Sequence, residues 1–385
     1  MLGPMQRPGP AALAAEHAPC LPAYGDHSLA DLVPALLDRA RHLAEGTLPA
    51  FLAAPVAAAP QVVLLVLDGL GEQQLAERPA LAPVLSALDG SPLTSVAPST
   101  TASALTSLAT GATPAEHGVL GYRLRAAAGV LNVLRWTLDG ADARGLVPPH
   151  GFCRRPPFLG RRPPVVARAE FAGTGFTEAY LPGADLRGWR VPSSIAVEVR
   201  RALAEGVPLV YAYYDGVDKI AHETGLGEHY DAELAAVDRL VGDLLDLLPP
   251  GAALVVTADH GQVEVRDEPV RLAPDLLDAV GLLSGEGRFR WLHVPPGAVD
   301  DVVAACREAY GHLAWVRTRE EVVAEGWLGG RPADDLFERI GDVALAARAP
   351  VAFFDPADTG ELRLVARHGS LTPAEMLVPL RAAVR

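Results

Sequence analysis

Apolar runs that stop abruptly at acidic residues dominate the hydrophobic pattern of the chain. The three clearest are Val62-Val63-Leu64-Leu65-Val66-Leu67-Asp68-Gly69, the run from Leu209 through Tyr214 to Asp215-Gly216-Val217-Asp218, and Leu254-Val255-Val256-Thr257-Ala258-Asp259-His260-Gly261. Rich in Val and Leu and lacking polar alternation, each predicts a strand buried on both faces of a parallel sheet. Ligands of such sheets collect beyond the carboxyl ends of the strands, so three acidic clusters from distant parts of the chain are aimed at one place. Around these runs, residues of about 55–125 and 201–265 alternate strand, turn and helix, the pattern of a doubly wound α/β sheet. From Asp231 to Leu248 the apolar stripe Leu234, Val237, Val241, Leu244 and Leu248 predicts an amphipathic helix, stopped by Pro249-Pro250-Gly251.

Two stretches break this rhythm. Residues of about 126–200 are rich in Pro, Gly and Arg with weak periodicity and read as an excursion over the rim of the site. Residues of about 270–360 carry short helix and strand patterns and read as a second insertion. The chain then returns to the core through Leu362 to Gly369, with His368 at the end of the last strand. Residues 1–54 read as an N-terminal tail and lead-in helix, and 55–385 as one domain bearing both insertions.

Composition narrows the function. Half of the 385 residues are hydrophobic, enough for a large core, yet no apolar stretch reaches the roughly 18 residues of a membrane span. Met1 to Cys20 holds no basic segment followed by an apolar core, so the cytoplasm is the expected compartment. A net charge of −14 argues against a nucleic-acid polymer as partner, and it suits an anionic substrate only where cations reverse the local field. Cys20, Cys153 and Cys306 fit neither a zinc-ribbon spacing nor a disulfide framework and read as free. The lysine count is one, Lys219, and it lies inside the second acidic motif.

The candidate chemistry is a constellation of Asp and His. Asp259 and His260 are adjacent at a strand end, where both can reach one cation. Asp218 and His222 share a helix face if the chain turns helical after Asp215, and Asp215 lacks that spacing. With Asp68 and His368, these make six strand-end candidates whose carboxylates and imidazoles suit zinc or another borderline divalent ion. The hydroxyl cluster Ser99-Thr100-Thr101, after Pro98 and before a run of small helix formers ending at Gly111, marks a helix N-terminus. A hydroxyl there faces the positive end of the helix dipole, a setting that favours phosphate.

The order of these segments, Leu67-Asp68-Gly69, Pro98-Ser99-Thr100-Thr101 through Thr110-Gly111 with Pro114 and His117-Gly118, Asp218 to His222, Thr257 to Gly261, and His368-Gly369, resembles the type I phosphodiesterase/nucleotide pyrophosphatase family of the alkaline phosphatase superfamily. The resemblance implies an alkaline-phosphatase-like, mostly parallel doubly wound sheet with helices on both faces and two cap-like insertions. It implies two divalent metal ions, zinc with manganese or iron as alternatives. Asp68, Thr101, Asp259 and His260 would hold one, and Asp218, His222 and His368 the other. Thr101 would be the nucleophile of a phospho-threonine mechanism that cleaves phosphodiester or phosphoanhydride bonds of a small-molecule substrate. His117 falls in a structural motif, and His150, His229, His293 and His312 read as surface or packing residues.

The chain departs from the family's pattern at Ala104, where nucleotide-cleaving members carry an asparagine. A phosphomonoesterase, phosphonate hydrolase or phosphotransferase on the same site is therefore an alternative, and a catalytically silent metal-binding module a further one. A sulfatase is disfavoured because position 101 is neither Cys nor Ser. Tyr122, Arg123, Tyr213 and Tyr214 are candidates for shaping a leaving-group pocket, and Lys219 for a substrate contact.

Overall fold

Three buried runs become the centre of a six-stranded sheet in the computed structural model, which describes residues 18–265, 269–358, 360 and 363–385. Its strands are β1 (Val62–Leu67), β2 (Pro164–Arg168), β3 (Asp185–Trp189), β4 (Leu209–Tyr214), β5 (Ala253–Thr257) and β6 (Leu380–Val384), in the spatial order β6-β5-β1-β4-β2-β3. All neighbours run parallel except β6, which pairs antiparallel with β5. Every residue of β1, β4 and β5 is buried, as sheets covered on both faces require.

Register fixes the site. Leu67 pairs with Tyr214, and Val66 pairs with both Tyr213 and Thr257. Asp68, Asp215 and Asp259 therefore leave the sheet at one level.

Two helices carry Thr101, Asp218 and His222, and a third follows them in the chain. They are α1 (Thr101–Thr110), α2 (Gly216–Thr224) and α3 (Glu228–Leu247). The α1 helix is buried along its whole length and packs against the helix Leu29–Leu37 of the lead-in segment. The predicted amphipathic helix is α3, which starts three residues before the expected Asp231 and buries Leu234, Val237, Val241 and Leu244. Its buried Asp238 accepts from Val84 and Leu85 N–H, capping the helix Pro83–Ala87.

The insertions differ from their expected outlines. The stretch expected at about 126–200 begins at 123, where residues 123–142 form a four-stranded antiparallel meander, whereas β2 and β3 belong to the main sheet. The sequence Pro-Val-Val-Ala-Arg is short and follows a proline, and Asp-Leu-Arg-Gly-Trp is a polar edge strand; neither shows the apolar run of a buried strand. Within about 270–360, an antiparallel sheet orders Leu282–Glu286, Phe289–His293, Val343–Ala347 and Ala314–Thr318 over its own apolar cluster, which includes Leu292, Val303, Cys306 and Phe353.

The expected last core strand is corrected. Ala366–Arg367 pairs with Val263–Glu264 outside the main sheet, and β6 closes that sheet instead. Leu362 lies outside the described residues, as do 1–17. No helix among the described residues is long and apolar enough to cross a membrane.

Candidate active site

Asp68 extends β1 by one rung, its N–H donating to the Tyr214 carbonyl at 2.9 Å. Gly69 follows at φ 76°, and a Cβ there would lie 2.9 Å from the Asp218 Cα. Glycine thus lets the first turn of α2 press against the end of β1, which brings Asp218 to the site. One turn on, His222 Nε2 lies 3.3 Å from Asp218 Oδ1.

Thr101 is the first residue of α1, and the hydroxyl of the N-cap residue Thr100 makes no capping hydrogen bond. Ser99 bridges to Gly369, its N–H donating to the Gly369 carbonyl and its Oγ to the Ser370 carbonyl at 2.6 Å. This ties the hydroxyl segment to the one carrying His368.

The three imidazoles share one arrangement. Nδ1 faces a backbone carbonyl in each: Ala366 at 2.7 Å from His222, Gly261 at 3.1 Å from His260, and Ser99 at 2.9 Å from His368. A carbonyl only accepts, so each Nδ1 carries the hydrogen and each Nε2 presents a lone pair to the site. That is how metal-ligating histidines are oriented. The His260 and His368 rings stack at 3.5 Å between centroids, and His222 lies 5.2 Å from His368.

Around His260 Nε2 stand Thr101 Oγ1 at 3.1 Å, Asp68 Oδ1 at 3.4 Å and Asp259 Oδ2 at 3.5 Å. His368 Nε2 lies 3.8 Å from Asp218 Oδ1. The ligand atoms of Asp68, Asp259 and His260 fall within 4.8 Å of one another, as do those of Asp218, His260 and His368. His260 therefore stands between the two expected ligand sets.

Asp68 Oδ1 and Asp259 Oδ2 are buried with no hydrogen-bond partner among the described residues. Burial, with Asp259 and Asp218 nearby, holds the Asp68 carboxyl well above its ordinary range, and burial also raises Asp259. Burial and the neighbouring His260 and His222 push His368 well below the usual imidazole range. A cluster that resists both its own negative and positive charge is one that divalent cations complete, and the donor set fits them.

Sequence reasoning missed some of the support. The Tyr213 hydroxyl, expected in a pocket wall, donates to Asp68 Oδ2. Gln262 Nε2 donates to Asp218 Oδ1 at 2.6 Å from a buried position two residues beyond His260. The rival Asp215 faces Arg168, whose Nε lies 2.7 Å from both carboxylate oxygens, while Lys219 Nζ stands 3.6 Å away. Arg123 pairs with Asp355 in the interior, and the Tyr214 hydroxyl donates to Glu233. His117 is buried between Ser107 Oγ and the Val119 N–H, and burial lowers it to about 3. His150, His229 and His312 are exposed, and His293 packs on Ser284 in the second sheet.

A cavity of about 500 Å³ opens over the cluster, its wall including Thr101, Tyr122, Asp218, His222 and His368. A second of about 250 Å³ also reaches Thr101 and is walled by Leu105, Phe171, Phe176, Tyr180 and Tyr213.

An Asp/His cluster beside a threonine at a helix start, on the carboxyl edge of a parallel sheet, defines an α/β protein whose clustered donors suit divalent cations. The profile of the type I phosphodiesterase / nucleotide pyrophosphatase family matches residues 62–371, and the chain belongs to that family. Its chemistry is accordingly of the phosphoester-hydrolase class. The murine ectonucleotide pyrophosphatase / phosphodiesterase 5 structure is 14% identical with a TM-score of 0.63, over 84% of this chain and 87% of the other. Its human counterpart is 16% identical with the same score and coverage. Phosphonoacetate hydrolase from Sinorhizobium meliloti 1021, solved in complex with phosphonoformate, is 19% identical with a TM-score of 0.61, over 84% of this chain and 90% of that one. These likenesses show the alkaline-phosphatase-like fold. Comparison with curated protein sequences finds no match.

Proposed function

We propose that the protein is a two-metal hydrolase that cleaves phosphodiester or phosphoanhydride bonds of a small molecule through a phospho-threonine on Thr101. One observation carries this reading: Thr101 Oγ1 lies 3.1 Å from His260 Nε2, inside a cluster that adds the Nε2 lone pairs of His222 and His368 and two buried carboxylate oxygens, Asp68 Oδ1 and Asp259 Oδ2, with no hydrogen-bond partner among the described residues. Asp68, Asp259, His260 and Thr101 would hold one divalent ion, and Asp218, His222 and His368 the other, with zinc best suited to the donors. When bound, such ions supply the positive charge that ionises a hydroxyl near neutral pH and stabilises a departing oxygen.

The residues of the chain do the rest. Thr101 Oγ1, having released its proton to solvent, attacks phosphorus in line; the bond to the leaving oxygen breaks, and that oxygen takes a proton from solvent. The uncapped first turn of α1 directs N–H groups toward the charge on the phosphoryl oxygens. Tyr213 and Gln262 hold Asp68 and Asp218 in position. Water then hydrolyses the phospho-Thr101 ester and restores the hydroxyl.

Ala104 is buried and offers no side-chain donor, which favours a phosphomonoester or phosphonate as the second reading on the same site. Rates on bis-p-nitrophenyl phosphate, p-nitrophenyl phosphate and a nucleotide-sugar panel decide between the two. Thr101→Ala should abolish turnover while elemental analysis still finds two metal ions per chain. Retained turnover sinks the nucleophile, and fewer than two ions in active protein sinks the two-metal arrangement.

A further inference from the structure

The wall of the larger cavity is cationic in a chain whose net charge is −14. Arg135, Lys219, Arg288 and Arg367 line it, against the carboxylates Asp218 and Glu286. Arg288 is neutralised by Glu375, at 3.0 and 2.7 Å, and Asp218 belongs to the metal cluster. Arg288 and Arg367 are buried, which leaves Arg135 and Lys219 as the two exposed cations of the wall.

Lys219 shares one carboxylate with a stronger partner. Arg168 Nε lies 2.7 Å from both oxygens of Asp215 and its guanidinium rests over the Trp189 ring at 4.7 Å, whereas Lys219 Nζ stands 3.6 Å from Oδ2. Two cations over one anion leave a unit of positive charge, and Lys219, 56% exposed, is the outer one. It lines both cavities that reach Thr101.

Arg135 is held out by a built loop. Asn132 Oδ1 accepts the Arg135 N–H at 3.0 Å, and Asn132 Nδ2 donates to the Tyr122 hydroxyl at 2.6 Å, so one side chain joins the loop to the cavity wall. Trp136 then takes φ 54°, a left-handed conformation unfavourable for a bulky residue. It is kept there by burial of its indole, by the Nε1–H bond to the Val147 carbonyl at 2.8 Å, and by Gly175, where a Cβ would lie 2.2 Å from Trp136 Cγ. Strain maintained this firmly beside a site points to a positioned neighbour. The neighbours are Leu134 and Arg135, and both line the cavity. Among the described residues, no ion pair engages the Arg135 guanidinium.

Resting on Thr101 as the nucleophile, we propose that Arg135 and Lys219 form an anion subsite that selects substrates whose leaving group carries its own carboxylate or phosphate. A cavity of about 500 Å³ has room for such a group beyond the reacting phosphoryl. The test compares phenyl phosphate with 4-carboxyphenyl phosphate and 1,4-phenylene bisphosphate, the last two separating carboxylate from phosphate as the anion. The wild-type metal-loaded enzyme should favour at least one anionic substrate in kcat/KM, chiefly through KM. Arg135→Gln and Lys219→Gln should each lower that selectivity ratio by about tenfold or more, the worth of one charge-assisted hydrogen bond, and Lys219→Arg should restore it. The same ratio is read as Kd by calorimetry in a Thr101→Ala background, where turnover is not needed. No preference in the wild type, or a ratio unmoved by both Gln variants, overturns the subsite. Hydrolysis that survives Thr101→Ala instead overturns the nucleophile, while the Kd ratio still judges the subsite.

Discussion

Thr101 Oγ1 lies 3.1 Å from His260 Nε2, although 159 residues separate them. Neither residue finds the other by local structure. His260 is placed by β5, whose register against β1 sets Asp259 level with Asp68. Thr101 is placed by α1, whose approach is fixed where Ser99 bridges to Gly369. The hydroxyl and the cluster meet because a strand end and a helix start are anchored independently to the same carboxyl edge. Each anchor can be loosened separately.

Gly69→Ala loosens a third attachment, that of α2 to the end of β1. The substitution places a Cβ 2.9 Å from Asp218 Cα at φ 76°, so α2 must shift away from β1. A loss of about 1–3 kcal/mol in urea unfolding is expected from the backbone strain. Metal content should fall toward one ion per chain as Asp218 and His222 move out of reach. Unchanged content in a folded variant would show that α2 is free to approach without this glycine.

Tyr213→Phe removes the hydroxyl that donates to Asp68 Oδ2 and nothing else of that side chain. Partners that orient a ligating carboxylate are worth about 10–100-fold in metal affinity, and a loss of that size is expected in competition with a chelator. The β4 core should stay intact, because the ring keeps its volume and its contact with Phe171. Affinity equal to the parent protein would mean that Asp68 is oriented by its other neighbours.

These two residues also mark what the sequence disclosed. Buried strands advertise themselves: β1, β4 and β5 are continuous apolar runs, and their terminal acids and His260 mark the site's position directly. The α2 helix was legible through the spacing of Asp218 and His222. Edge strands are hidden because they bury less. β3 reads as polar, and β6 carries Arg381 and small residues and runs antiparallel. Tyr213 and Gln262 were out of reach for a different reason. Their roles depend on which face of a strand or turn meets a carboxylate more than 40 residues away, and no local pattern encodes that.

His117 predicts a pH dependence remote from the Asp/His cluster. Burial lowers it to about 3, whereas an unfolded histidine titrates near 6.5. The native state therefore holds it neutral, and its stabilising contribution is complete above about pH 6.5. As the pH falls from there toward 3, the unfolded chain takes up a proton that the fold refuses. Stability should then drop by up to about 1.4 kcal/mol per pH unit from this group. His117→Gln should flatten that part of the slope between pH 6.5 and 4.5 in urea unfolding. An unaltered slope would show that His117 is protonated without cost.

A buried ion pair joins the second sheet to the segment that follows His368. Arg288 and Glu375 are 1% and 0% exposed, and Arg288 also donates to the carbonyls of Ala347, Ala349 and Val351. Glu375 in turn accepts from the Ser370 N–H and the Thr372 hydroxyl, just beyond His368. Arg288→Met leaves that carboxylate buried without a counter-ion, which costs about 3–5 kcal/mol. Adding Glu375→Gln removes the orphaned charge while keeping an acceptor for Ser370. The double variant should therefore recover most of the loss, short of what the freed carbonyls cost, about 1–3 kcal/mol each where they stay unsatisfied. Urea unfolding of both variants gives the comparison. If the double variant is no more stable than the single, the damage lies in the carbonyl network, and the ion pair does not itself join the second sheet to the segment that carries His368.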